Sequence, residues 1–325
     1  MRVLVAGASG ALGVPLTRLL VARGHSVVGL IRNPAGADGV RALGAEPVVA
    51  NALERDELLR AVNGLTADAV IHELTSLRKP PLRANGMAVT NRLRTEGTAN
   101  LLAVADRLGA KRMVTQSIIF GYGFRDHGDR ILTEGDTFGI PAGDLTDDAI
   151  AALASAEMQT FKAPEGIALR YGLLYGGDGA QMRAMLQRRG VPVSVGGLLG
   201  WVHHLDAAAA TVSALEVGRA GHAYNVVDDQ PATWEQLFTG MAAAVAAPPP
   251  RRLPRWMTRL VAPYAARVAV DTSMRVSNAK AKKELAWQPR FTTYREGIAA
   301  MVSDLCREDP KNLPRVPADK LRAGM

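Results

Sequence analysis

Three glycines near the N-terminus constrain this chain most. Gly7, Gly10 and Gly13 stand in Ala6-Gly7-Ala8-Ser9-Gly10-Ala11-Leu12-Gly13. The apolar run Val3-Leu4-Val5-Ala6 precedes them, and Val14 to Ala22, with apolar residues at helical spacing, follows. Glycine has no Cβ, so a strand can turn tightly there and let backbone approach a ligand. The helix that follows offers free N–H groups and a positive dipole end to phosphates. In this strand–turn–helix context the triplet reads as a dinucleotide-binding turn. The second strand, Val27 to Ile31, ends at Arg32-Asn33 and lacks the acid that grips the ribose 2′-hydroxyl of NAD. A guanidinium there suits a 2′-phosphate, so Arg32 points to NADP(H).

The same alternation runs through the first half. Strand-like runs at Pro47-Val48-Val49, Asp68 to Ile71, Met113 to Gln116 and Ile167 to Arg170 alternate with helical stretches such as Glu54 to Val62, Thr95 to Leu108 and Asp147 to Phe161. Near-continuous apolar strands imply a parallel sheet covered on both faces. The fold expected is α/β: a Rossmann-type doubly wound parallel sheet with a smaller C-terminal substrate-binding lobe. Residues 1–170 are assigned to the NADP-binding domain, with 201–227 returning to it. Residues 171–200 and 228–308 are assigned to the lobe and lid, and 309–325 to a tail. Gly121 to Leu145 reads as a long loop, and Gly176 to Gly200 as a glycine-rich lid around a short helix from Ala180 to Arg188. Asp206 to Glu216 is helical, with Asp206 expected to cap it behind His203 and His204. Thr233 and Gln236 predict a capping box. Arg251 to Val270 reads as one basic amphipathic helix.

Composition narrows the partners. The net charge is +8, from 39 Lys+Arg against 31 Asp+Glu, yet no run of like charges stands out and aromatics are only 5%. That argues against nucleic acid. The single cysteine, Cys306, excludes an internal disulfide, and no His/Cys/Asp/Glu cluster has metal-ligand spacing, so no metal is expected. No apolar stretch of about 18 residues occurs and the chain opens directly on a strand, which predicts a cytoplasmic protein without a membrane anchor. The expected partner is a small-molecule substrate, and the expected state a monomer or homodimer.

Further motifs carry a resemblance over residues 1 to about 305. These are Val70-Ile71-His72, Gly97-Thr98-Ala99-Asn100-Leu101-Leu102, Lys111 to Val114, Leu169-Arg170…Leu174-Tyr175-Gly176, Trp201-Val202-His203…Leu205-Asp206 and Leu285-Ala286-Trp287-Gln288-Pro289. With the glycine turn, they resemble the extended and atypical short-chain dehydrogenase/reductases of the NAD-dependent epimerase/dehydratase group. The resemblance implies that Ser9, Gly10, Ala11 and Leu12 hold the pyrophosphate, with Gly7 and Gly13 shaping the turn. It sets Asn51, with Ala52, beside the adenine, where the family has Asp and where the amide oxygen would accept. Leu74, Thr75 and Ser76 would line the ribose and phosphate path, and Gln116 and Ser117 the nicotinamide ribose. Tyr171, in place of the family's proline, is counted with the cofactor contacts.

The family's proton relay, Tyr-x-x-x-Lys, is missing. No tyrosine of the chain has lysine four residues on, and alignment on Glu157 puts Ala149 and Leu153 at the two positions. This resembles the atypical ketoreductases of aromatic polyketide pathways, the angucyclinone type included, and so implies antibiotic biosynthesis. The expected activity is NADPH-dependent reduction of a carbonyl on a bulky, aromatic or polyketide-like molecule. The proton would come from Ser117, Tyr122, His127, an ordered water or a substrate hydroxyl. A non-catalytic NADP-binding sensor is the alternative, and an NDP-sugar epimerase or dehydratase a weaker one.

Overall fold

The computed structural model describes residues 1–77 and 80–308. The expected tail, 309–325, lies outside them. The strands are β1 (Arg2–Ala6), β2 (Ser26–Ile31), β3 (Glu46–Val49), β4 (Ala69–His72), β5 (Arg112–Ile118), β6 (Asp126–Leu132) and β7 (Glu165–Tyr171). Short ones follow: β8 (Leu173–Tyr175), β9 (Leu198–Leu199), β10 (Trp201–His203), β11 (His222–Val226), β12 (Ala232–Thr233) and β13 (Ser273–Val276). The first helices are α1 (Gly13–Ala22), α2 (Ala37–Ala42), α3 (Arg55–Ala61), α4 (Ala88–Arg92), α5 (Thr98–Leu108) and α6 (Asp147–Thr160). The later ones are α7 (Gly179–Gln187), α8 (His204–Val217), α9 (Trp234–Ala244), α10 (Arg255–Val261), α11 (Pro263–Ala266), α12 (Ala279–Glu284) and α13 (Tyr294–Glu308).

Seven strands form one parallel sheet in the order β11-β7-β5-β4-β1-β2-β3. The residues that make it are β-branched and apolar, and β1, β4 and β7 are buried almost throughout. Apolar layers cover both faces, Leu16, Leu20, Ala208 and Leu215 on one, Leu58, Leu101 and Val104 on the other. This is the doubly wound architecture expected from the sequence. The chain steps from β1 to β2 and β3 on one side, then returns to β4 on the other, which opens a crevice at the strands' C-terminal ends.

A second apolar core includes Phe120, Phe124, Trp201, Phe238, Tyr264 and Met274. Here the sequence reading needs correction. The supposed loop from Gly121 to Leu145 contains β6, which pairs in parallel with β13 across a register shift. The basic segment from Arg251 to Val270 is not one helix: Ala262, outside helical backbone, and Pro263 divide α10 from α11. Asp206 does not cap α8, whose cap is His203, accepting from the Leu205 N–H at 3.2 Å. Its carboxylate instead accepts the N–H groups of Arg290 at 2.8 Å and Phe291 at 3.0 Å, fastening the closing segment. The capping box of Thr233 and Gln236 is present on α9. Among the described residues no helix is long and apolar enough to cross a membrane.

Candidate active site

The glycine turn sits at the mouth of the crevice. Gly7 has φ +98, and a Cβ there would lie 2.9 Å from the Glu73 carbonyl oxygen. A Cβ on Gly13 would overlap the Gly7 carbonyl. Both positions therefore need glycine for the strand and helix to meet. The Gly10 N–H donates to the Gly7 carbonyl at 2.9 Å, closing the turn. Ser9, Gly10 and Ala11 are exposed, Leu12 and Gly13 buried, and no side chain caps α1. The Val14 N–H donates to the Gly10 carbonyl at 3.0 Å and Pro15 has none, so the N–H groups open to an anion are those of Ala11, Leu12 and Gly13. This cradle fits a dinucleotide pyrophosphate held by Ser9 to Leu12. Arg32, exposed just beyond β2, belongs to the turn whose Gly36 packs beside Ser9.

Other expected contacts gather at the same edge with changed roles. The Asn51 carboxamide oxygen accepts from the Leu53 N–H at 3.2 Å, which closes that turn and leaves one lone pair of the oxygen. Ala52 is buried, and its carbonyl accepts from Asn100 at 2.9 Å, which ties the turn to α5. Gln116 donates to the Leu74 carbonyl at 2.6 Å, and Thr75 Oγ1 accepts from the Leu77 N–H at 3.0 Å. Leu74, Thr75 and Gln116 thus form one wall across the ends of β4 and β5. Tyr171 is corrected. It is buried in the same apolar core as Ala8 and Leu12, and its hydroxyl bonds Glu73 at 2.9 Å and Thr211 at 2.6 Å. It supports the turn from beneath and is not a direct contact. Burial pushes the Glu73 carboxyl up to about 8, so it sits there neutral near neutral pH.

Two of the three candidate proton donors are spent elsewhere. Tyr122 is buried; its hydroxyl donates to Asn225 Oδ1 at 2.8 Å and accepts from Arg170 at 2.9 Å. Arg170 in turn meets the Glu157 carboxylate at 2.8 Å and lies 3.7 Å above the Phe138 ring centre. Burial pushes the Tyr122 phenol up to about 12, with Arg170 pulling it back. The residue locks a buried network, with its hydroxyl engaged on both sides. His127 is not in a loop: it lies on β6 with Nε2 on the Gly123 carbonyl at 3.2 Å. Burial, with Arg125 and Arg130 nearby, holds its pKa below the usual value. A neutral ring that gives its one proton to a carbonyl has none to lend. Ser117, buried near the end of β5, keeps an Oγ with no partner among the described residues. On α6, Ala149, Leu153 and Glu157 share one buried face.

Sequence reasoning missed Arg94. It lies in a π-helical turn, Leu93–Gly97, between α4 and α5. Its signal was hidden because Arg92-Leu93-Arg94 looks like the charged face of an amphipathic helix. The turn is held at four points. Thr98 Oγ1 donates to the Arg94 carbonyl at 2.6 Å and Thr95 Oγ1 to the Asn91 carbonyl at 3.0 Å. Gln159 donates to the Thr95 carbonyl at 3.1 Å. His72 Nδ1 accepts from the Leu74 N–H at 3.2 Å, so Nε2 carries the proton and meets the Leu93 carbonyl at 3.3 Å. Burial drives the His72 pKa down to about 4.

With this geometry in view, the chain belongs to the atypical short-chain dehydrogenase/reductases, and binds an NAD(P)H cofactor as an oxidoreductase of that family. Residues 7–137 match the family model described as NAD(P)H-binding. The 3-diazoavenalumate denitrifying reductase of a Streptomyces species is 36% identical over 313 residues, 92% of this chain and 99% of that protein. A 4-hydroxy-2-methyl-3-oxo-4-farnesyl-3,4-dihydroquinoline-1-oxide ketoreductase of Stigmatella aurantiaca is 38% identical over 116 residues, 35% of this chain and 32% of that protein. Among solved structures, a UDP-glucose 4-epimerase of Thermotoga maritima shares the fold with a TM-score of 0.74 at 20% identity, over 95% of this chain and 99% of that one.

Proposed function

We infer that the protein is an NADPH-dependent reductase that delivers hydride to a bulky aromatic acceptor without a protein proton relay. The observation that carries this is the buried face of α6. Where the family resemblance would set tyrosine and lysine, it presents Ala149 and Leu153, exposed by 2% and 1%. Tyr122 and His127 do not fill the gap. Bound at the glycine turn, with Arg32 on its 2′-phosphate, the cofactor supplies a hydride from the nicotinamide.

The acceptor that best suits such a site is one that needs no proton. An aryldiazonium group is of this kind. Hydride uptake forms the arene C–H bond, the C–N bond breaks, and dinitrogen leaves as the positive charge is cancelled. The similarity to a diazo-compound denitrifying reductase supports this acceptor. A carbonyl acceptor, expected from the sequence, is the second reading. The unpartnered Ser117 hydroxyl and the shorter ketoreductase match support it.

The test is protein-dependent NADPH oxidation with a naphthalenediazonium salt and with the matching acetylnaphthalene. Equimolar dinitrogen release with the first is the expected result. Oxidation with the ketone alone would select the second reading. Tight NADPH binding with no oxidation of either would return the protein to the sensor class.

A further inference from the structure

We propose that Glu73 is a positioning residue of the dinucleotide turn, and that it acts as a neutral acid whose one buried proton is coupled to cofactor affinity. Placement comes first. Glu73 directly follows β4, which lies beside β1 in the sheet. Its N–H donates to the Ala6 carbonyl at 2.9 Å, at the end of β1. Its own carbonyl stands so close to the turn that a Cβ on Gly7 would come within 2.9 Å of the oxygen. The backbone of Glu73 thus meets the turn at Ala6 and at Gly7. Its carboxyl meets the hydroxyl of Tyr171 on β7, which in turn meets Thr211 on α8. The three residues are exposed by 6%, 2% and 0%, so water does not supply what they lack.

Counting hydrogens gives the charge state. Thr211 Oγ1 donates to the Ala207 carbonyl at 2.7 Å, one turn back on α8. With that hydrogen used, the 2.6 Å contact between Thr211 and Tyr171 takes the only hydrogen of the phenol. The 2.9 Å contact between Tyr171 and Glu73 then draws its hydrogen from the carboxyl. An ionised Glu73 would leave one of these three contacts with lone pairs facing each other. The protonated form fills every link of a chain from Glu73 through Tyr171 and Thr211 to the Ala207 carbonyl. Burial acts in the same direction, and Glu73 Oε2 has no partner among the described residues to offset a charge. Around the carboxyl, β7 offers the phenol of Tyr171 and α8 the hydroxyl of Thr211. The same core draws Val5, Ala8, Leu12 and Leu16 from β1, the turn and α1, none of them titratable. The neighbouring His72 ring is neutral, with its nitrogens on the Leu74 N–H and the Leu93 carbonyl. No described cation is bonded to Glu73. A carboxylate here would add negative charge against the seat of an anionic pyrophosphate. Bound cofactor therefore favours the proton, and by reciprocity the proton favours the cofactor.

The inference rests on the cofactor turn and not on which acceptor takes the hydride, so its test needs no turnover. NADP⁺ binding is measured by calorimetry from about pH 7 to about pH 9.5, in buffers of different ionisation enthalpy, which count the protons exchanged. Affinity is expected to stay level to about pH 8. Above that it should fall by up to about tenfold per pH unit, the limit for one linked proton, with proton uptake on binding. Glu73→Gln offers Tyr171 a neutral amide, and its binding profile should be level, without the uptake. Tyr171→Phe removes the partner that draws the carboxyl down, so the fall should move to higher pH. A level profile in the wild-type protein, or a fall in Glu73→Gln as steep as in wild type, would each overturn the proposal. The wild-type profile and its proton count decide the matter even where a variant does not fold. NADP⁺ bound at no pH would sink the cofactor assignment and this proposal together, whereas binding with a level profile would sink the proposal alone. A failed naphthalenediazonium assay bears on neither.

Discussion

Two arginines of the chain, Arg170 and Arg94, have opposite surroundings. Arg170 is sealed into Glu157, Tyr122 and Phe138, with Asn225 closing the chain beyond Tyr122. Arg94 is half-buried, and no described Asp or Glu forms an ion pair with it. The first arrangement satisfies itself and so contributes rigidity, holding β7, β11, α6 and the turn after β5 together. The second leaves its guanidinium without a counter-charge among the described residues. The difference teaches that one arginine is spent on holding the fold, while no described ion pair holds the other.

The largest expected effect breaks the satisfied side. Glu157→Leu strands Arg170 without its counter-ion and should cost about 3–5 kcal/mol in chemical denaturation. Adding Arg170→Met to it should recover much of that loss, because an apolar pair needs no desolvation. If the single variant were as stable as wild type, the pair would not be the lock described here. Next comes the glycine turn, which serves both sides. Gly13→Ala sets a methyl against the Gly7 carbonyl and should destabilise by about 3 kcal/mol, with NADPH binding lost in fluorescence titration.

Arg32→Ala sharpens the cofactor assignment. It should weaken NADPH by about 10- to 100-fold, the worth of a charge-assisted phosphate contact, and leave NADH unchanged. Equal affinity of wild type for both cofactors would sink it.

A pH series separates the buried acids from the histidines. Glu73 and Asp228 are raised to about 8 by burial, so the folded state keeps protons that the unfolded chain releases above 4.5 and 3.8. Their stabilisation is lost as pH climbs toward 8. His72 and His203 are lowered to about 4 from 6.5, so theirs is lost as pH falls below 6.5. Above 6.5 only the acids act, and stability should decline up to pH 8, each acid adding at most about 1.4 kcal/mol per pH unit. Glu73→Gln keeps a partner for Tyr171 and should roughly halve that decline, leaving the part due to Asp228.

The smallest effect is at Tyr122. Tyr122→Phe leaves Arg170 and Asn225 one partner short and should cost about 1–2 kcal/mol in stability. Its kcat should stay within about twofold of wild type, since the hydroxyl is not a proton donor; a drop of about 100-fold would restore it as the general acid.

What was legible in the sequence follows the same division. The parallel sheet and the glycine turn announce themselves because their causes are local: apolar runs, glycine spacing, a helix start. The position of Tyr122 was legible, but its role was not, because Arg170 and Asn225, which capture its hydroxyl, are 48 and 103 residues away. Strand β6 was hidden because Asp126 to Ile131 is mostly exposed and polar, and its ladder partner β13 lies far along the chain. Arg94 was hidden because a π-turn changes which face a helical residue occupies, and nothing in Arg92-Leu93-Arg94 signals the turn.

The central claim is hydride delivery from a cleft without a protein acid, and stereospecific loss of cofactor deuterium tests it most directly. NADPH carrying deuterium on one or the other face of nicotinamide C4 is oxidised with the naphthalenediazonium salt, and the NADP⁺ formed is weighed by mass spectrometry. The account predicts that only one face loses its deuterium, with the same outcome in Tyr122→Phe. Protein-independent loss from both faces, or NADPH bound and left intact with diazonium and ketone alike, would contradict it.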